Sequence, residues 1–359
     1  APVTGLESGV THLSAGGGSA CAVDDRGLRC WGLNFGAKLG NHSTDDSPLP
    51  VPTSVTRSVQ RVAAGGYHSC AVVDSGAQCW GYNFFGQLGD DSRTDRWTPV
   101  AVVGLDRGVQ GLALGSNHTC AVVNGGAHCW GTNGVGQLGT GASGVQRVPS
   151  PVSGLSSGVR QIVAGDAHSC ALVDGGAWCW GENANGRLGD GSDVDAATPV
   201  AVVGLSSGVR ALAAGGAHTC ALVDGGVWCW GLNLDGQLGN GDDDDRWEPV
   251  PVAGLSSGVS AIAAGGRHSC AVVDGRPMCW GWNSDGQLGN GSRTSSDLPV
   301  MVSVLGRVTT LTAGLRHTCA ISAGQPWCWG DNGFGQVADG SGVDRDAPVP
   351  VGGVGTSHD

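Results

Sequence analysis

Residues 204–253 read GLSSGVRALAAGGAHTCALVDGGVWCWGLNLDGQLGNGDDDDRWEPVPVA, and the hairpin at their centre decides the fold. Asp224-Gly225 is a pair that favours a two-residue type I′ turn. Counting outward, Val223 faces Gly226, Leu222 faces Val227, Ala221 faces Trp228 and Cys220 faces Cys229. Opposed pairs alternate, starting from a hydrogen-bonded pair beside the turn. The cysteines therefore fall on a non-hydrogen-bonded pair, where side chains are closest, and that register suits a cross-strand disulfide. Residues 199–203, 208–213, 218–223 and 227–232 read as the four short strands of one unit.

The pattern recurs along the whole chain. Its fourteen cysteines form seven pairs of identical spacing: Cys21 and Cys30, Cys70 and Cys79, Cys120 and Cys129, Cys170 and Cys179, Cys220 and Cys229, Cys270 and Cys279, Cys319 and Cys328. A fixed period of about 50 residues means units that bury their apolar faces against their neighbours. Seven units of four strands, with no helical periodicity, read as an all-β, seven-bladed propeller. One domain is expected over 1–352, with repeats at about 5–53, 54–103, 104–153, 154–203, 204–253, 254–303 and 304–352. Residues 1–3 and 347–349 carry copies of the same Ala-Pro-Val strand. The expectation is a ring closed by a terminal strand that completes a blade begun at the other end, with 353–359 as a flexible tail.

Composition agrees with many short strands and tight turns: 66 glycines and 15 prolines accompany an ordinary apolar fraction of 40%. A net charge of −12 opposes nucleic-acid binding, which needs a basic stripe. No apolar run is long enough to span a bilayer. Seven in-register cysteine pairs without an orphan favour disulfides, hence a secreted, periplasmic or cell-surface protein. Each ten-residue loop closed this way should contribute about 2–3 kcal/mol. A metal site is disfavoured, because the first unit keeps Cys21 and Cys30 while carrying Ser19 where other units have histidine.

The string from His218 through Trp230-Gly231-x-Asn233-x-x-Gly236-Gln237-Leu238-Gly239 resembles the regulator of chromosome condensation repeat family. It recurs from His68, His118, His168 and His268, and is altered in the first unit (Ser19, Ala37-Lys38) and the last (Val337-Ala338). The resemblance implies a seven-bladed propeller. It also implies several possible functions: nucleotide exchange on a small GTPase, ultraviolet sensing, modules of ubiquitin ligases, and bacterial inhibitors of secreted enzymes. The uniform repeats, with no inserted wedge or basic arm, depart from the exchange-factor branch. Gly265-Gly266-Arg267-His268 and Gly314-Leu315-Arg316-His317 lack the tryptophan of the photoreceptor motif. Secreted, cysteine-paired bacterial members are the nearest in kind.

The repeated histidines (His68, His118, His168, His218, His268, His317) read as structural hydrogen-bonders between blades, since no carboxylate or nucleophile recurs beside them. No catalytic residue and no metal ligand is assigned. The tryptophans after each second cysteine read as packing residues, with Trp178, Trp228 and Trp327 adding to that layer. Acidic stretches such as 242–245, 190–195 and 90–95 read as solvated loops; calcium there is the minor alternative, and no cofactor is expected.

Recognition should lie where blades differ. Tyr67, Tyr82, Phe84 and Phe85 concentrate four of the chain's six Tyr and Phe in one unit, and exposed aromatics are typical binding anchors. Trp97, Trp247, Arg267, Trp282 and Arg316 complete the candidate surface. The expected function is a non-catalytic, monomeric, extracytoplasmic binding or scaffold module whose partner is a protein. A glycan-binding propeller is the first alternative, and a hydrolase, lyase or guanine-nucleotide exchange factor the next.

Overall fold

The structure, a computed structural model, describes residue 6 and residues 9–55 and 58–352. Its strands gather into seven four-stranded antiparallel sheets, each built from four consecutive strands. In the fifth sheet these are Val209–Ala214, His218–Val223, Gly226–Gly231 and Arg246–Pro251. The first strand of every sheet lines a central cavity, so the sheets stand as seven blades around a channel. No helix among the described residues is long and apolar enough to cross a membrane.

The hairpin follows from its turn. Asp224 and Gly225 both have positive φ, 51° and 88°, as a type I′ turn requires, and Cys220 pairs with Cys229 in the register counted from the sequence. Their Cα atoms are 4.1 Å apart and their sulfurs are bonded, the close approach of a non-hydrogen-bonded pair. The other six expected pairs are disulfides as well. Cys21 is bonded to Cys30, Cys70 to Cys79, Cys120 to Cys129, Cys170 to Cys179, Cys270 to Cys279 and Cys319 to Cys328, with Cα separations of 4.0 to 4.1 Å. No cysteine among the described residues is free.

One strand sits differently from the sequence expectation. Residues 199–203 do not open the fifth blade; Ala196–Ala201 forms the outer strand of the fourth, paired with Gly176–Gly181. Returning beside the strand just completed needs no crossover, and Pro199, lacking an N–H, suits a sheet edge. The same logic sets the closure. The terminal strand Arg345–Pro350 completes the last blade, but that blade's other three strands come from the same end of the chain. Among the described residues, no blade is assembled from both termini. Residues 1–3 and 353–359, the expected matching strand and tail, lie outside the described residues. The first and last blades meet instead through a backbone hydrogen bond, from the Leu315 N–H to the Gly17 carbonyl at 3.0 Å, and through packing of Leu13, Ala20 and Trp31 with Cys319, Ile321 and Cys328.

Each apolar core cluster is likewise shared by two blades. Leu222 and Val227 of the fifth blade pack with Ala271 and Trp280 of the sixth. A polar chain accompanies this layer at five seams. Between the fourth and fifth blades, Thr219 Oγ1 and Trp230 Nε1 both donate to the Arg187 carbonyl, at 3.0 and 2.9 Å. His168 Nε2 lies 3.0 Å from the same hydroxyl. The hydroxyl proton is already committed to the carbonyl, so the imidazole must donate, which fixes its tautomer with the proton on Nε2. His68, His118, His218 and His268 repeat the contact at 2.6 to 2.9 Å. Burial holds these rings far below the usual histidine range, at about 3 for His68 and His218 and about 4 for His118 and His268. They are neutral, buried struts.

Candidate recognition face

Antiparallel strand order puts the loops after first and third strands at one end of the ring. The hairpin turns and the links between blades lie at the other end. The long loops after third strands, such as 232–245, are each organised by one asparagine. Asn233 is fully buried. Its Oδ1 accepts the Leu238 N–H at 2.9 Å, its Nδ2 donates to Asn240 Oδ1 and the Asp242 carbonyl at 3.2 and 2.9 Å, and Asp245 Oδ1 accepts its own N–H at 2.8 Å. Asn83, Asn183 and Asn332 hold their loops in the same way. Sequence reasoning gave this residue no role. The signal was its place in every unit, three residues after the packing tryptophan.

This scaffold uses up many of the acidic-loop carboxylates. Arg96 pairs with Asp90 at 2.6 Å, Arg345 with Asp339 at 2.5 Å, and Arg246 with Asp242. Burial pushes the Asp90 carboxyl up, but hydrogen bonds from Ser92, Arg96 and Asn83 outweigh it and hold it below the usual carboxylate range. Asp95 and Asp195 accept asparagine N–H groups at 2.8 Å. Among the described residues, no three His, Cys, Asp or Glu side chains converge as metal ligands would.

The four aromatic residues singled out in the second unit do come together. Tyr82 is the hub: its ring centroid lies 6.2 Å from Tyr67, 6.4 Å from Phe84 and 6.5 Å from Phe85. Phe84 and Phe85 stand edge to face at 5.0 Å. Phe35 of the first blade, which was not among the expected site residues, joins them at 5.7 Å from Tyr82 and 5.9 Å from Tyr67. Phe35 and Phe84 are more than half exposed, at 54% and 56%. The cluster thus spans a seam, and only the folded ring assembles it.

The remaining candidates divide. Arg267 and Arg316 flank Trp282, with guanidinium carbons 5.9 and 4.7 Å from its ring centroid; the arginines also reach Asp235 and Asp285 at 3.2 and 3.9 Å. Trp97 and Trp247 lie on outer strands, and no ring contact among the described residues joins either to the cluster. Trp178, expected in the packing layer, is exposed, while Trp228 and Trp327 are half-buried; each lies on a third strand next to the outer one. The channel, about 770 Å3, opens between Leu33, Tyr67, Arg316, Asp331 and Phe334. Its polar bore residues are engaged: Gln161 exchanges two hydrogen bonds with the Leu212 backbone, while Ser14 and Thr312 accept N–H groups of adjoining blades.

A family model of the RCC1-like domain matches residues 2–320. Among solved structures, the chain superposes on human WBSCR16 with a TM-score of 0.81 and 23% identity, covering 90% of this chain and 93% of that one. It superposes on Prp20p of Saccharomyces cerevisiae, described with its binding to Gsp1p and histones, with a TM-score of 0.80 and 25% identity, covering 90% and 85%. The ectodomain of the Arabidopsis thaliana receptor kinase ACR4 aligns with a TM-score of 0.54 and 20% identity, covering 90% and 95%. No curated protein sequence matches the chain.

Proposed function

The chain belongs to the RCC1-like domain family, and from that premise we propose that it is a monomeric, extracytoplasmic binding module that recognises a protein. The observation that carries this reading is the aromatic cluster at the seam of the first two blades. Five rings meet there, partly exposed, at the mouth of a rigid ring. A preorganised aromatic surface gives affinity at low ordering cost, and such residues dominate binding hot spots. Seven disulfides support an oxidising compartment, and the ACR4 ectodomain is a protein of this fold outside the cell. A catalytic reading has less behind it, because five of the six repeated histidines are spent as neutral struts. Prp20p, a relative by fold, binds proteins.

Affinity capture tests the reading. Disulfide-intact protein is the bait against the extracellular fraction of its source, beside a Tyr82/Phe84/Phe85→Ala variant. A protein held by the native bait and lost by the variant is expected. Retention of glycans alone, or of nothing, overturns it.

A further inference from the structure

The aromatic cluster lies on the charged end of the ring. Among the described residues, the loops at its end carry nineteen Asp and Glu against six Lys and Arg, whereas the turns and links at the other end carry six against three. The chain's −12 is thus gathered where the aromatics are. Five of the six loop cations, Arg93 excepted, are already held, and Arg96, Arg147, Arg246 and Arg345, which stand at the start of outer strands at the same end, are taken by Asp90, Asp91, Asp242 and Asp339. Arg187 pairs with Glu182 at 2.6 Å, Arg293 with Asp344 at 3.3 Å, Arg267 and Arg316 with Asp235 and Asp285, and Lys38 with backbone carbonyls. By contrast Asp45, Asp95, Asp193 and Asp243 are exposed, and no cationic side chain among the described residues pairs with them.

We infer that the partner bound at this face presents a positively charged surface around an apolar or aromatic anchor. The inference rests on the binding reading above and adds the partner's chemistry. The two parts divide the work. Rings buried in a water-excluded centre hold the complex, while uncompensated carboxylates around them steer a cationic partner and raise its association rate. The same field repels acidic surfaces and nucleic-acid phosphates, so it also selects.

Random twelve-residue peptides displayed on phage and panned on the disulfide-intact full chain, and in parallel on the Tyr82/Phe84/Phe85→Ala variant, test this. Peptides captured by the native chain and lost on the variant are expected to be rich in Lys or Arg and to carry an aromatic or large aliphatic residue. A synthetic copy of the leading peptide should weaken about tenfold between 50 and 300 mM salt, as screening removes the steering field. Asp45/Asp243→Asn should slow its association several-fold and leave dissociation nearly unchanged. A variant-sensitive pool that is neutral or acidic would overturn the inference and leave the binding reading intact. A basic pool held equally by both proteins would show charge acting alone and would also overturn it. The absence of any variant-sensitive peptide would sink both.

Discussion

The first blade meets its neighbours differently from the way the other blades meet. At five seams a histidine of one blade bonds a hydroxyl of the next, and that hydroxyl and a tryptophan share one carbonyl. The first unit has Ser19 for the histidine, Ala20 for the hydroxyl residue and Lys38 for the usual glutamine, so both of its seams lose the link. At the seam with the second blade, Lys38 fills the gap. Its side chain is fully buried, and Nζ donates to the Gly65 and Gly66 carbonyls, both at 2.9 Å. The backbone follows. A Cβ on Gly215 would stand 2.2 Å from His218 Cε1 and 2.5 Å from the Gly265 carbonyl of the next blade, whereas one on Gly16 would stand 2.0 Å from the Ala64 carbonyl and meet no imidazole. Where the imidazole is missing, a buried amine takes its place against the carbonyls of the next blade. Departures from a repeat therefore come in compensating sets.

Two pH windows separate the two kinds of seam, and the acid window should give the larger effect. His68, His118, His218, His268 and His317 stay neutral in the folded ring to about pH 3 to 4, and burial holds His168 well below its usual range, whereas the unfolded chain takes up protons from about pH 6.5. Their contribution is full above that and is lost as pH falls, by about 1.4 kcal/mol per histidine per pH unit. Lys38 adds nothing in this window, being protonated in both states below pH 7. Urea titrations between pH 6.5 and 4.5 should show steep loss of stability, and His218→Gln should be less stable at neutral pH but shallower in slope by about one proton. An unchanged slope would mean that the regular seams do not carry the acid response.

The alkaline window reads the first seam. Burial lowers the Lys38 pKa from 10.5 to about 7, so between these values the unfolded chain binds a proton that the folded ring does not, and stability rises with pH. A neutral amine still has two protons for its two carbonyls. Lys38→Met should abolish the rise between pH 7 and 9 and cost about 2–3 kcal/mol at pH 9, since two buried carbonyls lose their donor. Rebuilding the regular seam is the sharper test. Ser19→His alone should clash with the lysine and Lys38→Gln alone should leave a void, but together they should recover at least about 1 kcal/mol over the sum of the singles. Strict additivity of the two would break the comparison.

How much of this the sequence disclosed depends on whether a feature repeats. The hairpin register, the disulfides and the blade number were legible because the cysteine spacing states them seven times and an Asp-Gly or Asn-Gly turn four times. The outer strand was misplaced by one blade: a Pro-Val segment lies between two hairpins, and its own composition does not say which it joins. Ser19 and Lys38 read as decay of the repeat because they are nineteen residues apart and only the folded seam brings them together. The aromatic cluster was seen in part. Tyr67, Tyr82, Phe84 and Phe85 share one unit, but Phe35 belongs to the previous one, and no within-unit count could include it.

The seam between the last and first blades offers the smallest and most discriminating change. Here no side chain among the described residues replaces the lost hydroxyl. His317 lies against the Ser19 backbone rather than a hydroxyl, and its ring nitrogens make no hydrogen bond of ordinary geometry, though the ring is fully buried. Trp31 alone donates to the Gln336 carbonyl, at 2.9 Å. Ala20→Ser adds the hydroxyl found at the equivalent place in five other seams, where one oxygen both donates to that carbonyl and accepts from the imidazole. The expected gain is about 1 kcal/mol, a typical net value for one buried hydrogen bond, read as a higher urea midpoint at pH 7. Ala20→Val, similar in bulk but without the hydroxyl, should give no such gain. If Ala20→Ser destabilises as much as the valine, this seam has no room for the hydroxyl. The first blade would then be joined on both sides without the histidine link, which would be one of two solutions the ring uses.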